Sequence, residues 1–310
     1  MSQPLELSII IPTHGSHSSV QLSIQSCLSQ KFHPGTFEIL VVSNLPDSHL
    51  ESWIKKAQDT YKSFSNLHYL VSGKIGVNWA RNTGGKLAKG KYLYFLDDDC
   101  LLPHPLFISE MLENYINDSP GKIIGGQYRL NNETHFFSLG YQLLTDLWIS
   151  RGIVHIPKNQ EGQNSHLWPA NNLLGGNLLI CQQVFKSTSG FTNEISEGGD
   201  EVEYLRRLSN LGYSLYFCIN LSVYHIGKQS FLKFVRRAWL HGKAKAKYKL
   251  ESNLNMEQNF WPFQFLTQPT FRKYLKPTAI LAASLHLLIV QFAWCYYYLK
   301  RKQRPFQKKQ

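Results

Sequence analysis

Cysteine is scarce and scattered in this chain. Its five residues, Cys27, Cys100, Cys181, Cys218 and Cys295, form no paired framework and no zinc spacing with the histidines. That excludes a disulfide scaffold and points to a reducing compartment. Acid is nearly missing from one end. Residues 228–310 hold two Asp and Glu against 17 Lys and Arg, a formal +15, whereas residues 1–227 hold 19 against 16, a formal −3. The net charge of +12 therefore describes a tail and not the body of the protein. Few aromatics alternate with the tail's cations as a strand-binding groove would need, which argues against nucleic acid. Internal repeats and low-complexity tracts are lacking. So is a charged-then-apolar leader at Met1-Ser2-Gln3-Pro4-Leu5-Glu6, so the expected location is cytosolic.

What is present begins as strands alternating with helices. Leu7-Ser8-Ile9-Ile10-Ile11 is a short β-branched run stopped by Pro12, as in a buried parallel strand. Residues 39–42 and 67–71 read as further strands. Helical periodicity runs from Ser18 or Ser19 through Val20, Ile24, Cys27 and Leu28, then over 50–64 and 77–87. This order predicts an α/β fold with a parallel, doubly wound sheet. Residues 1–227 are ample for one domain with a sizeable core.

The strand Tyr92-Leu93-Tyr94-Phe95-Leu96 ends in Asp97-Asp98-Asp99. Ligands of open α/β sheets bind outside the carboxyl ends of strands, so the carboxylates emerge at a binding crevice. Like charges so close repel unless a cation sits among them or water screens them. A divalent metal with a phosphate-bearing ligand answers that, since hard cations take carboxylate and phosphate oxygens together. A solvated acidic turn is the plainer alternative.

Taken in order, Ile9-Ile10-Ile11-Pro12-Thr13, Ala80-Arg81-Asn82-Thr83-Gly84 and Leu96-Asp97-Asp98-Asp99 resemble the family 2 glycosyltransferases of GT-A fold. The resemblance covers residues 5–227. It continues in Gly175-Gly176-Asn177, Gly190-Phe191 and Gly198-Gly199-Asp200-Glu201, where an acidic pair starts a helix ending in an arginine-leucine pattern. It implies a Rossmann-like, mostly parallel sheet flanked by helices. It also implies a nucleotide-sugar donor and a divalent metal, Mn2+ or Mg2+. By this resemblance Pro12, Thr13, Ser43, Asn44, Arg81, Asp97 and Asp98 fall on the nucleotide side. Asp97, Asp99 or both would hold the metal, completed by His225, while alternation at a strand end turns Asp98 away. Imidazole beside carboxylates favours manganese.

Glu201 stands where the family carries its base, which is normally an aspartate, and Asp200 is the second candidate; either would accept the acceptor's proton as the anomeric centre inverts. Ser43-Asn44 replace a base-reading aspartate, leaving UDP-, GDP- and dTDP-sugars all open. Trp168, Asn171, Gly176 and Asn177 are candidate acceptor or sugar contacts, aromatic faces and amides being suited to carbohydrate.

In the tail, residues 231–249 set Phe231, Phe234, Val235, Ala238 and Trp239 against Arg236, Arg237 and five lysines, a basic amphipathic segment suited to an anionic membrane surface. Arg236-Arg237 and His241-Gly242-Lys243 also resemble a region that closes over the donor phosphates in some relatives. Residues 278–299 carry no formal charge and are long enough to span a bilayer, with Trp294, Tyr296, Tyr297 and Tyr298 at one end. The six basic residues that follow conflict with a span from a cytosolic core, and an interfacial helix resolves the conflict. Residues 260–271 fit an interface as well. The expected domains are thus 1–227, the GT-A domain, and 228–310, a basic helical region with a membrane-associated or transmembrane helix near 278–299. The expected activity is metal-assisted, inverting transfer to a lipid-linked or polysaccharide acceptor at the cytosolic membrane face. Two rivals are transfer to polyprenyl phosphate, whose anionic acceptor needs no base, and a silent module binding anionic ligands.

Overall fold

A computed structural model describes residues 5–15, 18–31, 37–61, 64, 66–115, 121–131, 135–153, 167–193, 200–226, 230–252 and 276–302. The expectation for 260–271, and Gly198 and Gly199, lie outside them. Contacts divide the chain into two units: Met1–Asn131, Arg151–Ser196 and Asp200–Ile226 in the first, and Asn132–Ser150, Glu197–Gly199 and Gly227–Gln310 in the second.

In the first unit, β1 (Leu7–Thr13), β2 (Phe37–Ser43), β3 (Leu67–Val71) and β4 (Tyr92–Leu96) alternate with α1 (Ser18–Leu28), α2 (Ser48–Thr60) and α3 (Val77–Leu87). These strands pair in parallel in the order β3-β2-β1-β4, as the βα alternation requires. β1 and β4 are buried throughout, which their unbroken apolar runs demand. Pro12 is tolerated inside β1 because the pairing of β1 with β4 stops at Ile10 and Phe95, so no ladder donor is needed on that side. α2 ends at Thr60, four residues before the helical periodicity does.

Beyond β4 antiparallel strands join, so the sheet is mostly and not wholly parallel, as expected. β5 (Cys100–Leu101), β6 (Lys122–Leu130), β7 (Leu167–Pro169), β8 (Asn177–Cys181) and β9 (Ser214–His225) join it, with α4 (Phe107–Tyr115), α6 (Gln182–Ser187) and α7 (Asp200–Asn210) between them. β8 runs antiparallel to both β4 and β6, while β6 and β9 run parallel. Consequently Asn177 opens β8 opposite Leu96, at the carboxyl end of β4.

The second unit is helical: α5 (Phe136–Gly152, whose last two residues belong to the first unit), α8 (Phe231–Ser252) and α9 (Pro277–Lys302). Phe137 packs on Phe231 and Phe234, with ring centroids 5.6 and 4.9 Å apart. By length and composition the segment Pro277–Lys300 could cross a membrane, with a mean hydropathy of 1.8.

Candidate active site

The chain turns sharply after β4, and the three aspartates take three different partners. Asp97 accepts from Arg81 Nη2 at 3.0 Å and from the Tyr128 hydroxyl at 2.9 Å. Asp98 accepts from Thr13 Oγ1 at 2.7 Å, fastening the turn to the end of β1. Asp99 Oδ1 lies 3.4 Å from Nε2 of His225. That last approach follows from register: Cys100 pairs with His225 across β5 and β9, and Ile226 N donates to Asp99 O at 2.8 Å.

α3 explains why Ala80-Arg81-Asn82-Thr83-Gly84 has its composition. Gly84 lies against Ile10, where a Cβ would come within 2.5 Å of Cγ2. Asn82 binds the backbone of Phe191 twice, donating to its carbonyl at 2.7 Å and accepting from its N–H at 2.9 Å. Phe191 is thereby held under the Arg81 guanidinium, 5.1 Å from the ring centroid. Arg81 is 6 % exposed and Asp97 30 %, so the cation is fixed inside the protein and the carboxylate faces outward.

The double glycine brings the helix start to the same place. Gly176 O accepts from Asp97 N at 3.0 Å, and a Cβ on Gly176 would overlap the Asp97 carboxyl. A Cβ on Gly175 would come 3.0 Å from Arg81 Nη1 and 3.1 Å from the Cβ of Glu201. Glu201, in the first turn of α7, is therefore a neighbour of the Arg81–Asp97 pair. Asp200 precedes it as the first residue of α7.

Other expected contacts sit apart. Asn177 is fully buried: its Oδ1 accepts from the Tyr94 hydroxyl at 2.7 Å, and its Nδ2 donates to Gln127 O and Leu221 O at 3.3 and 2.7 Å. Its amide staples an irregular stretch of β9, where the register with β6 shifts. It presents nothing to a sugar. Trp168 packs on Phe217 at 6.0 Å. Phe217 pairs with Gly125, five residues of β6 before the partner of His225, roughly 17 Å along a strand. Asn171 is exposed, and its N–H donates to Gly152 O at 2.7 Å. Ser43 and Asn44 are buried at the end of β2, where Ser43 donates to Leu45 O, and Asn44 bonds His14 and accepts from Gly76 N.

Tyr128 is the residue that sequence reasoning missed. Its ring stacks on His225 with centroids 5.0 Å apart and planes at 17°, while its hydroxyl reaches Asp97. Burial above all, with the Asp97 charge behind it, raises its pKa well above the ordinary tyrosine value, so the phenol stays a donor. No local pattern marks it, because it enters through the pairing of β6 with β9.

Among the described residues no three His, Cys, Asp or Glu side chains group as a metal-holding set. Asp99 and His225 supply two donors of suitable chemistry, and an ion held there would draw its other ligands from phosphate and water. A separate cleft of about 440 Å³ lies beside α2, lined by Glu38, Lys55, His68, Leu87 and Lys89 among others. It shares no lining residue with the aspartate cluster.

Comparison with known proteins gives the family and the fold. The family model described as glycosyl transferase family 2 matches residues 8–188. Glycosyltransferase AglE of Haloferax volcanii is 23% identical over 303 residues, covering 93% of this chain and 91% of that protein. The poly(ribitol-phosphate) beta-N-acetylglucosaminyltransferase TarP of Staphylococcus aureus is 29% identical over 125 residues, 40% of this chain and 36% of its own. Among solved structures, the mannosyltransferase PcManGT from Pyrobaculum calidifontis, in complex with GDP-Man and Mn2+, superposes with a TM-score of 0.60. It is 12% identical, covering 98% of this chain and 78% of that one, a likeness of GT-A fold.

Proposed function

The chain belongs to glycosyl transferase family 2 and is a glycosyltransferase; from that premise we propose that it moves a sugar from a nucleotide donor to a lipid-linked or polysaccharide acceptor, with inversion, at the cytosolic face of a membrane. The observation that carries the reading is the gathering of Asp97, Asp99, His225, Arg81 and Glu201 around the carboxyl end of β4. GDP-Man and Mn2+ in the PcManGT structure, and the polymeric acceptor in the name of TarP, support a nucleotide-sugar donor, a divalent ion and a glycan or polyol-phosphate acceptor.

Asp99 and His225 would hold the ion, together with donor oxygens. Once bound, such an ion neutralises the charge that grows on a departing diphosphate. The chain's own groups do the rest. Arg81, fixed by Asp97 and by the Phe191 face, keeps positive potential beside the leaving group. Thr13, bonded to Asp98, keeps the end of β1 against the aspartate turn where a nucleoside would lie. Glu201 takes the proton from the attacking hydroxyl on the face opposite the leaving group.

Purified full-length protein in detergent, screened against nucleotide sugars for donor hydrolysis with and without Mn2+ or Mg2+, tests this. Hydrolysis of one donor should need the ion and vanish in Asp99→Ala. Persistence in that variant overturns the metal assignment. Once an acceptor is found, Glu201→Gln should stop transfer while donor binding survives. Turnover that survives replacement of both Asp200 and Glu201 would instead indicate a polyprenyl-phosphate acceptor.

A further inference from the structure

By itself α9 satisfies the length and hydropathy of a transmembrane helix. Its neighbour in the second unit decides otherwise. α8 runs alongside it in the same direction: Phe234 meets His286 at 5.2 Å, Trp239 meets Phe292 and Tyr296 at 6.1 and 5.9 Å, and Lys243 lies 5.6 Å from the Tyr297 ring. The contact is close. A Cβ on Gly242 would run into Val290 O and come 2.7 Å from the Ala293 Cβ. Trp239 Nε1 donates to the Tyr297 hydroxyl at 3.2 Å.

The flanking stretch of α8 carries Lys233, Arg236, Arg237, Lys243 and Lys245. A bilayer-spanning α9 would have His286 to Phe292 near mid-depth, and would draw Lys233, Arg236 and Arg237 into hydrocarbon beside them. Cations at that depth are strongly disfavoured unless they can reach water or a partner.

The two faces of α9 show the alternative. Ala279, Ala282, Ala283, His286 and Ala293 are buried. Leu281, Leu288, Phe292, Tyr296 and Leu299 are exposed by 64, 69, 68, 45 and 58%. At 3.6 residues per turn these five fall within an arc of about 80°. Exposed Lys276 and Lys300 bracket the ridge, and α8 adds exposed Phe231 and Leu232 beside Lys233. An apolar ridge with cations around it complements an anionic lipid surface.

We propose that α8 and α9 form a platform that lies in the plane of an anionic phospholipid surface, with the Leu281–Leu299 ridge sunk into the headgroup boundary, and that α9 does not cross the bilayer. The proposal deepens the membrane-surface part of the function above and is independent of its donor and acceptor. Full-length protein should be mixed with preformed vesicles of phosphatidylcholine alone, or of phosphatidylcholine with phosphatidylglycerol, and assayed by flotation. Binding should favour the anionic vesicles by about tenfold or more, fall with salt, and be released by alkaline carbonate. The double variant Leu288→Asp/Phe292→Asp should lose it about tenfold while keeping its circular dichroism and its donor hydrolysis, which separates this outcome from a failure of the catalytic reading. Equal binding to neutral vesicles, carbonate-resistant insertion, or binding undiminished in the double variant overturns the proposal. So does a dimer, dissociated by the same double variant, in place of vesicle binding.

Discussion

Tyr128 lies face to face with His225, 5.0 Å between ring centroids, and the same side chain donates its hydroxyl to Asp97. One residue therefore links the two acidic positions, Asp97 through a hydrogen bond and Asp99 through the imidazole 3.4 Å from it. Tyr128→Phe keeps the ring and deletes the bond. A hydrogen bond to a charged group contributes about 1.5–3 kcal/mol, so kcat/KM should fall roughly tenfold to a hundredfold. Thermal stability should fall by no more than that same amount, because Asp97 keeps Arg81. Kinetics of the variant set against its melting curve check this, and an unchanged kcat/KM counts against a positioning role.

Gly176→Ala should be far more damaging than its size suggests. The new methyl overlaps the Asp97 carboxyl, which must leave Arg81 and Tyr128 to make room. Donor hydrolysis should drop by about a hundredfold. Gly121→Ala is the control, since a Cβ there meets nothing within 4 Å. Equal activity in the two variants would refute the close packing.

Asn177→Ala separates a structural asparagine from a sugar contact. It strips partners from Tyr94, Gln127 and Leu221 inside the sheet, a loss of about 2–4 kcal/mol. Urea unfolding should register that loss, while KM for the donor sugar stays the same in whatever enzyme remains folded. A raised KM with undiminished stability would restore Asn177 to the sugar site.

The second unit should loosen in acid. His241 faces His286 from α9, Nδ1 to Nε2 at 3.4 Å, Tyr141 from α5 at 6.3 Å between rings, and Arg237 on its own helix. Burial, then Arg237 and then His286, holds its pKa down to about 3 against an ordinary 6.5. A folded-state pKa below the unfolded one means the contribution is whole above pH 6.5. It is lost as the pH falls from there toward 3. Melting in detergent should fall by about 5 °C or more between pH 7 and pH 4, and His241→Gln should flatten that dependence. Parallel curves for the two proteins would exclude His241 as the cause.

Much of the fold was legible along the chain because its causes are local. The apolar strand at 92–96, the β-branched run at 7–11 and the helical period over 77–87 each carry their own periodicity, and α3 spans 77–87 as read. The mixed half of the sheet was less legible. Whether β8 pairs parallel or antiparallel with β4 depends on how eighty intervening residues return, and no local pattern records that. Asn177 shows the same gap at the level of one side chain. An amide after two glycines looks ready for carbohydrate, yet the irregular pairing of β6 with β9 turns one carbonyl from each strand, Gln127 O and Leu221 O, toward it.

Composition and local pattern by themselves determined that a slightly acidic α/β body precedes a cationic, acid-poor tail, and that a carboxylate triplet stands at a strand end, since charge and hydropathy are read residue by residue. Tertiary structure alone decided that Asp97 meets Arg81, that Tyr128 meets His225, and that cationic α8 accompanies apolar α9. Those facts depend on pairings between segments tens to about a hundred residues apart. Such pairings follow from the shape and packing of the whole chain, which no short window of sequence contains.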